Sequence, residues 1–134
     1  MSFYFEEEKM SDIFTKYHIA PGAALHDFKE AEPITADAHD HPGSFTSMIL
    51  DGWYLEKVWM QDSTGRWYSV TIKRSKGQAF HVPADRIHQI IEMSAGGCKT
   101  STVWGPEERK WRFWRFDNGK AQWRENGQDD WIDF

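Results

Sequence analysis

His39 and His41 stand one residue apart in "HDHPGSFTSMILDG", residues 39–52, directly before an apolar run that closes on an Asp-Gly turn. On an extended strand, residues i and i+2 project from the same face, so this spacing can aim two imidazoles at one point. Neutral imidazole is a good ligand for first-row divalent metals, but two such ligands hold an ion weakly. A third must come from a distant segment, and His88 follows "GQAFHVPADRIH" at the start of another apolar run. Three neutral imidazoles leave coordination positions open for a substrate or dioxygen. The competing reading of "HDHPG" is a solvated surface turn. Gly52, Gly77, Pro83 and His88, all in register with the pair, tilt the balance towards a metal site. Cys98 is the single cysteine, which excludes an intramolecular disulfide and a thiolate-rich zinc site. His81 is a reserve ligand only, while His18 and His26 precede the pair with no partner pattern and read as structural or exposed.

The elements that must position these groups are short strands. "FTSMIL" (45–50), "WYLEKVWM" (53–60), "RWYSVTI" (66–72), "AFHV" (79–82), "IHQIIEM" (87–93) and "KTSTVW" (99–104) are rich in β-branched and aromatic residues. "WRFWRF" (111–116) and "KAQWRE" (120–125), joined by "DNG", read as one more hairpin. Gly- and Asp-containing turns separate these runs, and many short strands at even spacing imply a β-sandwich or barrel. Before them, residues 3–18 place Phe5, Ile13, Phe14 and Tyr17 at spacings that fit one helical face, which predicts a short N-terminal helix ended by "APG" at 20–22.

Length and charge bound the rest. A chain of 134 residues suits one domain, and no window is apolar enough to span a bilayer. The acidic start "MSFYFEEEKM" lacks the basic segment of a secretory signal, so a soluble cytoplasmic protein is expected. The net charge of −5 arises at the front, where residues 1–40 carry 9 acids against 3 bases; residues 98–134 carry 7 of each. No broad basic face for duplex nucleic acid is present.

Together, residues 39–88 resemble the cupin superfamily. Its first motif has His-x-His, an acidic residue three or four positions on, then six residues and Gly; here His39-Asp40-His41 is followed by Phe45, "TSMILD" and Gly52. Its second motif runs Gly, five residues, Pro, x, Gly, two residues, His, a spacing kept by Gly77, Pro83 and His88. The tail "VWGPEERKWRFWRF" is similar to small single-domain cupins of bacteria and their phages. The resemblance implies an all-β, double-stranded β-helix (jelly roll) with His39, His41 and His88 as metal ligands. Pro33, Asp85 and Glu92 depart from the pattern at turn positions, whereas Phe45 removes the carboxylate ligand. The neutral site that results resembles that of the thiol dioxygenases of the superfamily, which bind ferrous iron through three histidines. Fe(II) is therefore the implied cofactor, with Ni, Mn or Zn as alternatives.

Around the three histidines, Phe45, Tyr54, Glu56 and Arg86 are candidate substrate-binding residues, Arg86 as a clamp for an anion or as a solvated turn residue. Asp40 could hydrogen-bond a ligand imidazole from behind, but its place between two inward-facing residues makes solvent exposure an equal expectation. Trp53, Trp59 and Trp67 read as core packing. "RKWRFWR" (109–115) mixes Arg112 and Arg115 with aromatics, a composition that stacks bases, although arginines covering a sheet face explain it more simply. Two functions follow: an iron-dependent oxygenase acting on a small molecule, or a non-catalytic protein binding an anionic or nucleotide-like ligand. A homodimer paired through sheet edges is the expected assembly.

Overall fold

Inward and outward residues alternate along β5, where Phe45, Ser47 and Ile49 are buried while Thr46, Met48 and Leu50 are exposed. The computed structural model describes residues 6–31 and 37–134 and is all-β. Its strands are β1 (Glu6–Ser11), β2 (Phe14–Ala20), β3 (Ala23–Phe28), β4 (Ala38–His39), β5 (Phe45–Asp51), β6 (Trp53–Gln61) and β7 (Trp67–Ser75). They continue with β8 (Ala79–Val82), β9 (Ile87–Met93), β10 (Cys98–Trp104), β11 (Arg112–Asp117), β12 (Lys120–Glu125) and β13 (Ile132–Asp133).

Two antiparallel sheets result, in the orders β1-β2-β3-β10-β5-β8 and β13-β12-β11-β4-β9-β6-β7. At their centre, β3-β10-β5-β8 faces β4-β9-β6-β7, the eight-stranded jelly roll expected of a cupin. The N-terminal hairpin extends the first sheet beyond β3, and the C-terminal strands extend the second beyond β4. No helix among the described residues is long and apolar enough to cross a membrane.

The turns follow the sequence signals. Gly52 joins β5 to β6 at φ 78°, and a Cβ there would meet the Gly97 carbonyl oxygen and Ser94 Oγ, each at 2.5 Å. Only glycine fits both the left-handed backbone and that approach. Asn118 and Gly119 have φ of 51° and 76° between β11 and β12, as a two-residue hairpin turn requires.

The N-terminal helix does not form. Over the described part of residues 3–18 the chain is the β1–β2 hairpin, with Glu8 opposite Lys16 and Glu7 opposite Tyr17; Phe5 lies outside the described residues, as does Pro33. The spacing of Ile13, Phe14 and Tyr17 fits a helix, but Ile13 falls in the turn. Pairing with β3 gives the backbone its hydrogen bonds and stacks Phe14 on Phe28 at 4.4 Å between ring centroids. The tertiary partner overrides a weak local periodicity.

Two apolar clusters hold the sheets. Ile49, Tyr54, Ile90 and Cys98 pack between them. Ala38, Ile87, Trp114 and Ala121 form the second cluster, flanked by Trp59, Trp67, Phe116 and Trp123. Trp59 stacks on Phe116 at 4.0 Å, so the tryptophans read as packing residues at 59 and 67 do pack.

Candidate metal centre and its cavity

The three histidines arrive from two neighbouring strands and the turn that follows one of them. His39 on β4 lies directly opposite His88 on β9, and His41 follows two residues after His39. Their ring centroids are 4.8 Å apart for His39–His88, 4.8 Å for His41–His88 and 5.3 Å for His39–His41. One nitrogen from each can be chosen so that all lie within 4.8 Å of one another. Burial lowers the pKa of His39 to about 3, with the nearby His88 adding to the effect. Burial followed by the charges of His88, His39 and Arg109 lowers His41 to about 2. Both rings are therefore neutral at pH 7 and present lone pairs, the state a cation requires.

Behind His88 runs a chain of charged partners across the sheet. Glu56 on β6 is 1 % exposed, and its Oε2 lies 2.9 Å from His88 Nδ1. A carboxylate only accepts, so Nδ1 carries the proton and Nε2 of His88 keeps its lone pair for the cavity side. Arg74 on β7 donates to Glu56 Oε1 from Nε at 3.1 Å and Nη2 at 2.9 Å. Burial pushes the Glu56 carboxyl up, but His88 and Arg74 outweigh it and hold it below the usual range. Glu56 is thus a support for a ligand rather than a residue of the cavity wall.

Asp40 is not solvent-exposed, nor does it bond a ligand imidazole. It is 1 % exposed; its Oδ1 accepts from the Arg112 backbone N–H at 2.6 Å and its Oδ2 from Trp114 Nε1 at 3.0 Å. Arg109 adds an ion pair at 3.1 Å. Burial raises the Asp40 pKa despite these partners. Its position between two inward-facing histidines turns the carboxylate towards β11, which sits there because Phe113 pairs with His39 and Trp114 with Ala38.

The histidines open into a cavity of about 320 Å³ between the sheets. Phe14, Phe28, Phe45, Trp104, Trp111 and Phe113 supply its aromatic wall. Phe45 stands 5.0 Å from the His41 ring and 4.3 Å from Trp104, so an aromatic side chain occupies the neighbourhood where the motif has a carboxylate. Tyr54 also lines the cavity, with burial and then the nearby Glu56 raising its pKa. Arg86 is half-buried on the turn between β8 and β9 and does not line the cavity. His81 lies exposed on β8, facing Thr46.

Two cavity residues escape the sequence reading. Lys16 on β2 and His26 on β3, cross-strand partners, both line it. Burial, then Lys16 and His18, lowers the His26 pKa to about 3. The signal was there in the alternation Phe14-Lys16 and His26-Phe28, hidden by reading the segment around Lys16 as helix.

The basic-aromatic tail divides by face. Trp111 and Phe113 line the cavity, while Trp114 joins the cluster on the other side of the sheet. Arg112 stacks on Trp123 at 3.9 Å, Arg115 on Trp131 at 4.3 Å and Arg124 on Phe113 at 4.6 Å. These arginines cover the rings of their own sheet.

No family profile matches the sequence, and no curated protein matches it. Solved structures do. Hydroxypropylphosphonic acid epoxidase (HppE) from S. wedmorenis is 16% identical with a TM-score of 0.56 over 75% of this chain and 55% of that one. The capsular polysaccharide assembling protein CapF from Staphylococcus aureus is 14% identical with a TM-score of 0.59, covering 77% of this chain and 28% of its own. KdgF from Halomonas sp. is 13% identical with a TM-score of 0.51, covering 78% and 89%. The chain thus spans about half the length of the epoxidase. At such identities the likeness is one of fold, and that fold is the cupin jelly roll.

Proposed function

We propose that this protein is a metal-dependent cupin enzyme acting on a small molecule, with Fe(II) held by His39, His41 and His88 in an oxygenase reaction. The observation that carries the reading is the convergence of three imidazoles, two of them held neutral by burial, at the wall of an aromatic cavity. HppE, similar in fold, has been solved with Fe(II). Bound to the three histidines, Fe(II) would supply redox chemistry and open positions for substrate and dioxygen.

The chain's own residues do the rest. Glu56, fixed by Arg74, accepts the Nδ1 proton of His88 and so selects the tautomer whose lone pair is on Nε2. Phe45 and Trp104 pack against His41 and exclude water from that side. Phe113 on β11 and Trp111 just before it line the cavity. The Arg112 and Arg115 stacks on Trp123 and Trp131 supply no group to the cavity, so a nucleotide there has less support than a compact ligand.

The test is oxygen uptake by Fe(II)-loaded protein over a panel of small acids, alcohols and thiols. Uptake above the free Fe(II) blank, lost in His88→Ala and altered in Phe45→Glu, supports the reading. Tight binding of panel members with no uptake by any metallated form moves the assignment to the binding function.

A further inference from the structure

The cavity has a charged side chain in its wall besides the groups around the histidines. Lys16 reaches it from β2 in the first sheet, whereas His39 and His88 belong to the second, so a ligand between them spans the gap between sheets. Lys16 is half-buried, with Nζ 5.3 Å from the centroid of the Trp104 ring. No ion pair to it is found among the described residues. Its cross-strand partner Glu8 directs its carboxylate to His18 Nε2, 2.9 Å away.

Three carboxylates of the described residues, Glu8 across from Lys16 and Asp40 and Glu56 by the histidines, are already engaged. Asp40, the one acidic residue of the cavity wall among the described residues, has Oδ1 on the Arg112 N–H and Oδ2 on Trp114 and Arg109. Glu56 lies behind His88, bridged to Arg74. Among the described residues the cavity wall therefore offers one lysine and no carboxylate free of partners, before any divalent ion adds to the positive charge. Burying such charge against an apolar ligand is costly, and a matching negative group removes the cost.

We infer that the ligand of this cavity is a small aromatic or branched apolar acid whose carboxylate pairs with Lys16 while its body packs among the rings of both sheets. This rests on the reading of the cavity as the substrate site. A volume of about 320 Å³ equals roughly ten waters at ~30 Å³ each, which limits the ligand to on the order of ten to fifteen non-hydrogen atoms. Phe14 and Phe28 face it from one sheet, Trp111 and Phe113 from the other. Ser47 and Thr100 add hydroxyls for the acid's second oxygen, whereas the Thr102 hydroxyl is taken up by Ala24, His26 and Trp104.

The test compares phenylacetate with its neutral isostere phenylacetamide, by calorimetry on the Zn(II)-loaded full chain and on the metal-free chain. The acid is expected to bind at least tenfold more tightly in both forms, with a preference that shrinks as salt rises. In the metal-free chain Lys16→Met should bring acid and amide within about twofold of each other without changing amide affinity, and Lys16→Arg should restore most of the preference. Equal affinities in the wild type, or an acid preference that survives in metal-free Lys16→Met, would overturn the inference even if zinc binds the histidines. Lys16-dependent acid binding in a chain that retains no metal would uphold it and overturn the metalloenzyme reading instead. The wild-type comparison and its salt dependence decide the matter should Lys16→Met fail to fold.

Discussion

Glu56 shows how much chemistry a single residue can carry at a position the sequence marks only as an inward strand residue. Its alternation with Tyr54 and Val58 predicts burial, and a buried carboxylate needs partners; His88 and Arg74 are those partners. Because it fixes the tautomer of a ligand, Glu56→Ala is expected to weaken divalent-metal affinity by about 10- to 100-fold, and Glu56→Gln, which keeps an acceptor, by less. Competition with a chromophoric chelator reads both; unchanged affinity in Glu56→Ala would mean that His88 needs no support. The buried histidines make a second prediction. His26, His39 and His41 have folded pKa values of about 3, about 3 and about 2, below the 6.5 of an unfolded chain. The unfolded state therefore binds more protons below pH 6.5, so stability present above that pH is lost as pH falls towards 3. Between pH 7.5 and 5.5 the metal-free protein should lose about 1.4 kcal/mol per independent site, which urea titrations at the two pH values measure. A flat profile would place these rings in contact with water.

At the scale of elements, β11 does two jobs. Its one face supplies Phe113 to the cavity and its other buries Trp114 in the second cluster, while Asp40 ties the strand to the histidine segment. Asp40→Ala leaves the Trp114 and Arg112 N–H groups without acceptors and Arg109 without its partner, a cost of about 3 kcal/mol and on the order of a 10 °C fall in Tm. A melting curve tests it, and a change of under 2 °C would show the tether to be dispensable. Most of the elements were legible in the sequence because period-two alternation and Asp-Gly or Asn-Gly turns are local signals, as in β5 and β6 around Gly52. The N-terminal hairpin was not, because its strands are stabilised by pairing with β3, and no local pattern records a distant partner. The same blindness hid Lys16 and His26. The three histidines were legible through fixed spacing; the roles of Glu56 and Asp40 were not, since each depends on strands that approach only in the fold.

For the molecule as a whole, the jelly roll places its chemistry between two sheets. The second sheet carries the three imidazoles and their support from Glu56 and Arg74, and the first carries Lys16, His26 and much of the aromatic wall. A divalent ion seated there joins β4 to β9 and binds only the folded chain, so saturating zinc at about a hundred times its Kd should stabilise the protein by about 2.7 kcal/mol. That gain should disappear in His41→Ala. The central claim is the three-histidine centre itself, and X-ray absorption at the metal edge of the Zn(II)-loaded protein tests it most directly. One ion per chain is expected, with three imidazole nitrogens at about 2.0 to 2.1 Å, reduced to two in His88→Ala. A spectrum with fewer than two imidazoles, with sulfur from Cys98, or with no retained metal would contradict it.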